Sequence, residues 1–203
     1  MPRPRWDRLE PARREHILAA AMAEFSTKGF DGASYNRIIA AAGVSKGAMY
    51  YYFDDKLDLF VTLLRHELDP LVALFHSFDT SDFWASFHQG SAAATRWAME
   101  RPEQIVLGRD LAALHDRHPD HPAIRALYDE LLGFTDHLLA IGRELGEIRT
   151  DLPDGLLAAV VRACSEAVDR WYLEHFDPDA DPDQVAGVFT DLIRRLAAPP
   201  ERT

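Results

Sequence analysis

The stretch Ser34–Leu59, SYNRIIAAAGVSKGAMYYYFDDKLDL, decides the fold. Two short apolar-periodic segments, Ser34–Ala42 and Ser45–Tyr52, each open with a serine that can cap the first turn of a helix. Two short helices joined by a turn of three or four residues containing glycine make a helix-turn-helix. Gly43 supplies the turn residue that tolerates positive φ. Ile38, Ile39, Val44 and Met49 offer apolar packing, and Ala41, Ala42 and Ala48 keep the close approach clear. The polar remainder suits DNA. Lys46 can reach phosphate or base, Gly47 lets a backbone come close, and Tyr50, Tyr51 and Tyr52 offer hydroxyls and ring faces. The helix starts at Ser34 and Ser45, with Lys56 further on, are expected to face phosphate.

Working outward, a helix is predicted from near Pro11 to Lys28, with Ile17, Leu18, Ala21, Met22 and Phe25 on one face and Gly29 ending it. Downstream, Asp54-Asp55 caps a long helix that Pro70 should kink or end. Further helices are expected to about Arg101, then over Pro102–Asp116, Pro122–Leu145 and Leu152–His175. A ninth starts at Asp181-Pro182, with Gln184 completing a capping box, and stops before Pro199-Pro200. Helical periodicity runs throughout, with no convincing period-2 run. The expected fold is all-α, about nine helices: a three-helix head over residues 1–53 and a helical body over 54–203.

Charge divides the same way. The head carries eight Lys/Arg against five Asp/Glu, a net +3, leaving −14 for the rest of a chain whose total is −11. A basic head on an acidic body directs only the head toward a polyanion. Arg3, Arg5 and Arg8 form either a solvated tail or a basic arm that reaches DNA. No long uncharged apolar run predicts a membrane span, and MPRPRWDRLEPARRE has no apolar core of a secretory signal, so cytoplasmic residence is expected. The single Cys164 fits that expectation.

The pattern G-V-S-x-G-x-x-Y-x-x-F-x-x-K-x-x-L, filled by Gly43, Val44, Ser45, Gly47, Tyr50, Phe53, Lys56 and Leu59, resembles the DNA-binding signature of TetR-family repressors. Ile17-Leu18, Ala20-Ala21, Phe25 and Gly29-Phe30 extend the resemblance over residues 13–64. Ile39 stands where the family often has Ala, and Tyr52 where it often has His. The resemblance implies that the third helix enters the major groove. It implies base or phosphate contacts from Arg37, Lys46, Gly47, Ala48, Tyr50 and Tyr51, and phosphate contacts from Ser34, Ser45, Tyr52 and Lys56. The alternative readings are Tyr50 packed into the head and Arg37 as a solvated face residue.

One head makes few contacts, whereas two on a common frame read half-sites about 34–36 Å apart or a multiple of that. A homodimer on a double-stranded, palindromic operator is therefore expected. The eighth helix carries an apolar stripe too wide for one partner: Leu156, Leu157, Val160, Val161, Cys164, Ala167, Val168 and Trp171. By resemblance the last two helices pair with their mates in a four-helix bundle, through Leu157, Val160, Val161, Cys164, Val168, Val185, Val188, Phe189, Leu192 and Ile193. The alternative is that this stripe is intrachain core. Large side chains elsewhere, Phe78, Trp84, Phe87, Trp97, Phe134 and Trp171, with His88 and Arg109, are candidates to line a pocket for a small organic effector, or else core. Effector binding would shift the spacing of the heads through the fourth helix, at a coupling of ~1–3 kcal/mol.

Rival classes find little support. No Gly-rich phosphate loop or nucleophile motif points to an enzyme, so no catalytic residue and no cofactor are expected. A helical small-molecule-binding module without DNA binding is the other alternative. His115–His121 is dense in metal-ligand residue types but reads as a solvated loop, and Asp177–Asp183 lacks the Gly and Glu of a calcium loop.

Overall fold

Proline is tolerated at the first turn of a helix, where its missing N–H would have no partner. Pro11 accordingly opens α1, Pro11–Gly32, in a computed structural model that describes residues 5–75, 79–175 and 177–200, the side chains of 70–75, 131, 132, 134 and 154 excepted. Ile17, Leu18, Ala20, Ala21 and Phe25 form its buried face. Gly29 breaks the helix as expected, at φ 66 and ψ 171, but the chain makes a further turn to Gly32. After it come α2, Tyr35–Ala41, and α3, Lys46–Tyr52. Both serine caps form: Ser34 Oγ accepts from the N–H of Arg37 at 3.4 Å and Ser45 Oγ from that of Ala48 at 3.1 Å. Gly43 takes φ 60 in the turn between them. Ile38 and Met49 are completely buried with Phe25, Phe53 and Phe60, so the pair of short helices is held by an aromatic-rich core.

α4 spans Lys56–Phe75 and so passes through Pro70; of the two expected outcomes, a kink or an end, the helix does not end there. A proline removes one backbone donor. The buried side chains Leu59, Phe60, Val61, Leu63 and Leu64, with Thr62 among them, anchor the turns before it. The remaining elements are α5 (Phe83–Met99), α6 (Pro102–Arg117), α7 (Pro122–Glu144), α8 (Asp154–Glu174) and α9 (Pro182–Ala197). The described residues hold nine helices and no strand. Asp181 caps α9 by accepting from the N–H of Asp183 at 3.0 Å.

The chain forms two compact units. The first joins the residues up to Asp69 with Pro102–Leu127, so it is wider than the three-helix head. In it α6 lies against α1. The Asp110 carboxylate accepts from the N–H of Phe30 at 2.6 Å, and Arg117 pairs with Asp31 at 3.1 Å. Burial pushes the Asp110 carboxyl above the ordinary aspartate value, against the opposing pull of that N–H. The second unit takes Pro70–Arg101 and the residues from Tyr128 on. Its core joins Phe83 and Trp84 of α5 to Leu139, Ile148, Leu157, Val161 and Ile193.

Candidate nucleic-acid interface

Helical geometry sorts the seven residues of α3. Met49 points inward and is completely buried. Lys46 and Tyr50, four apart, and Gly47 and Tyr51, also four apart, make two adjacent outward rows, all exposed. Ala48 and Tyr52 are part-buried at the edges. Tyr50 settles between its two readings: one side of its ring meets Tyr35 edge-on at 5.3 Å, yet 42% of the residue stays exposed. The Lys46 ammonium lies 5.9 Å from the centre of the same ring.

The other cations expected at DNA are engaged within the head. Arg37 donates to Glu24 through Nε at 2.8 Å, with Nη2 at 2.7 Å from the same carboxylate, and to the Gly32 carbonyl at 3.4 Å. Glu24 also accepts from the N–H of Ser34 at 2.8 Å, so it clips the start of α2 to α1. The guanidinium and that N–H hold the Glu24 carboxyl below its ordinary value, and Glu24 raises Arg37 in turn. Lys56 is engaged on the end of α1. Its ammonium donates to the carbonyls of Phe30 at 2.6 Å, Ala33 at 3.0 Å and Asp31 at 3.4 Å, and lies 4.5 Å from the centre of the Phe30 ring. All three donors of a lysine are thereby used on the end of α1. Ser34 and Ser45 each use an oxygen lone pair on a cap, which leaves the O–H as a donor.

Two residues ahead of α1 stand beside α3: Trp6, which the sequence reading did not single out, and Arg5, one of the three arginines it left as either solvated tail or DNA-reaching arm. Trp6, before α1, is 5% exposed and packs 4.8 Å from Phe53 and edge-on to Tyr52 at 6.1 Å. Tyr52 therefore has a packing partner on its outer side. The Arg5 guanidinium lies 4.2 Å from the centre of the Tyr51 ring. A tryptophan inside a polar, basic segment was the available signal.

The body residues divide less kindly for the sequence reading. Leu157, Val161 and Ile193, expected at a dimer interface, are core, at 1%, 3% and 3% exposed. Cys164, Val168, Val185 and Phe189 are part-buried, and Val160, Val188 and Leu192 are exposed. The outward stripe of α8 is Leu156, Val160, Ala163, Ala167 and Trp171: four members of the expected wide stripe, with Ala163 added and the Leu157 and Val161 side turned into the core. Of the pocket candidates, Trp84 is core and Phe87 stacks on Phe189 at 5.6 Å. Trp171 is exposed and stacks on His175 at 4.4 Å. Trp97 and His88 are part-buried, His88 lying 3.9 Å from Asp183. Arg109 is exposed and belongs to the other compact unit. Phe78 lies outside the described residues, as does the side chain of Phe134. Among the described residues, no three His, Cys, Asp or Glu side chains converge as metal ligands would, and no helix is long and apolar enough to cross a membrane.

A helix-turn-helix that turns methionine inward and lysine and tyrosines outward belongs to the class of DNA-binding transcriptional regulators. The family model for bacterial regulatory proteins of the tetR family matches residues 17–63. Similarity extends along the chain: the HTH-type transcriptional repressor Rv1474c of Mycobacterium tuberculosis is 27% identical over 199 residues, 95% of this chain and 96% of that protein. The HTH-type transcriptional regulator RutR of Escherichia coli is 39% identical over 71 residues, 35% of this chain and 34% of its own. The fold of FadR from Bacillus subtilis, solved in complex with stearoyl-CoA, superposes with a TM-score of 0.70 at 15% identity, covering 88% of this chain and 96% of that one. The tetR-family match covers residues 17–63, the DNA-binding head, and the chain is a transcriptional regulator.

Proposed function

We propose that this regulator is a ligand-responsive homodimeric repressor that grips a palindromic operator and releases it when a small organic effector binds. The observation that carries the reading is the outward patch of α3, Lys46 and Gly47 beside Tyr50 and Tyr51. Ser34, Ser45 and Ala48 flank it at the helix starts, and Arg37, neutralised by Glu24, contributes at its edge. Residues 1–53 then act as the DNA-binding division and 54–203 as the division for effector binding and dimerisation.

Dimerisation is supported by the exposed apolar face of α8 and α9. Leu156 and Val160 are 52% and 41% exposed, and Val188 and Leu192 are 55% and 40% exposed. Each pair is one helical turn apart on two helices packed together, which is costly to leave in water. Repression is supported by the likeness to the transcriptional repressor Rv1474c, and a small organic effector by the stearoyl-CoA held by FadR. Trp97 and His88 are the described residues we assign to the effector site. A regulator of this kind works where the chromosome is, so we place it in the cytoplasm and assign it no catalytic role.

Gel shifts against genomic fragments across a salt series test the reading. The wild-type chain is expected to protect a palindrome with steep salt dependence. Lys46→Ala should lower that slope by about 0.9 per head without changing the melting temperature. No binding even at low salt would overturn it.

A further inference from the structure

We propose that Arg5, held in place by Trp6, is a further DNA-contacting residue that takes a phosphate beside the base pairs under α3. The proposal rests on the reading of α3 as the DNA-facing helix. Trp6 lies in a turn, closed by the Leu9 N–H donating to the Trp6 carbonyl at 3.0 Å, outside any helix. A tryptophan there has no reason of local structure to be buried, yet it is 5% exposed. Its indole packs on Phe53 and Tyr52, the residues that end α3. Burying so large a ring fixes the segment to the C-terminal end of that helix. The preceding residue inherits the position: Arg5 is exposed, with its guanidinium 4.2 Å from the centre of the Tyr51 ring, a residue itself 46% exposed.

A guanidinium over an aromatic face is held by the ring while its N–H donors remain free for phosphate oxygens. Arg5 has no carboxylate partner among the described residues. Arg37 and Lys56 are by contrast occupied by Glu24 and by backbone carbonyls. Lys46 at the start of α3 and Arg5 at its end thus bracket the two tyrosines with cations, across about 10 Å of helix. Phosphate contacts position a protein on the duplex without reading sequence. Arg5 is therefore a contributor to affinity and register, with Trp6 its positioning residue.

The test uses the full chain, a duplex it selects from a random-sequence pool, and a scrambled duplex of equal length. Arg5→Ala should lower the log–log salt slope by about 0.9 per arm, equivalent to roughly eightfold in affinity at 0.1 M salt relative to 1 M, with a similar loss on both duplexes and an unchanged melting temperature. Arg5→Lys should keep the slope. Trp6→Ala should weaken binding, and the double variant should lose less than the sum of the two, as expected when one residue acts through the other. Wild-type affinity and slope in Arg5→Ala overturn the proposal while leaving α3 as the DNA-facing helix. A wild-type chain that binds no duplex at any salt overturns the DNA reading itself, and this proposal with it.

Discussion

Two outward faces of this molecule invite comparison: α3 in the head, and α8 with α9 in the body. Each belongs to helices whose inner residues are spent on the chain's own core, Met49 in one case, Leu157, Val161 and Ile193 in the other. What is left outside differs in kind. On α3 it is Lys46, Gly47, Tyr50 and Tyr51; on α8 and α9 it is Leu156, Val160, Trp171, Val188 and Leu192. The first suits a hydrated polyanion, bound with release of counterions and weakened by salt. The second suits another apolar face, and its association is driven by area removed from water, which salt does not screen. Rising salt should therefore strip the protein from DNA before it separates the protomers.

The largest expected effect comes from breaking the apolar face. Val160→Asp puts a charge where a mate should press, and an unpaired buried charge costs on the order of 3–5 kcal/mol. Sedimentation should show dimers giving way to monomers, with dimer affinity down roughly two to four orders of magnitude. Operator binding should fall with it, because one head reads one half-site. The variant should keep its helical circular dichroism, since Val160 is 41% exposed and no core is disturbed. An unaltered dimer would assign the face to solvent and end the comparison.

A smaller effect separates the two kinds of lysine in the head. Lys56→Met withdraws the donor from the Phe30 and Ala33 carbonyls, at a cost of about 1–3 kcal/mol. The melting temperature should drop while the salt slope of DNA binding holds. Lys46→Ala should do the reverse. If Lys56→Met instead flattened the slope at constant melting temperature, Lys56 would belong with the DNA-facing patch after all.

These two lysines also show what a linear sequence discloses. Helix boundaries were legible because serine, aspartate and proline mark them locally, as at Ser34, Ser45 and Asp181. The outward rows of α3 follow from the helical period once Met49 is taken as core. Lys56 was not legible, because its acceptors are backbone carbonyls some 26 residues away, which carry no side-chain signature. Arg37 depends on Glu24, 13 residues back, and on how α1 presents it. On α8 the apolar stripe covers more than half the helix. Composition alone does not say whether Leu156 and Val160 or Leu157 and Val161 face inward, since neighbours differ by only about 100° of rotation. The effector site was the least legible, because aromatic residues satisfy a core and a cavity equally well.

The smallest effect tests whether Arg37 is a reserve member of the DNA face. Glu24 is held below its ordinary 4.5, first by the Arg37 guanidinium and then by the Ser34 N–H. A carboxylate depressed on folding stabilises the protein above its unfolded value and loses that contribution as pH falls through its folded value. Wild-type stability should thus decline more steeply below 4.5 than that of Glu24→Gln, whose amide still accepts from Ser34 but does not ionise. Thermal melts across the acid range measure this, and superimposable profiles would remove Glu24 as the clip on α2. At neutral pH the same variant leaves Arg37 without its counter-charge. If that arginine lies within reach of a phosphate, the salt slope should steepen by up to about 0.9 per head, the opposite sign to Lys46→Ala. An unchanged slope would confine the DNA face to the outward rows of α3 and the segment docked beside them.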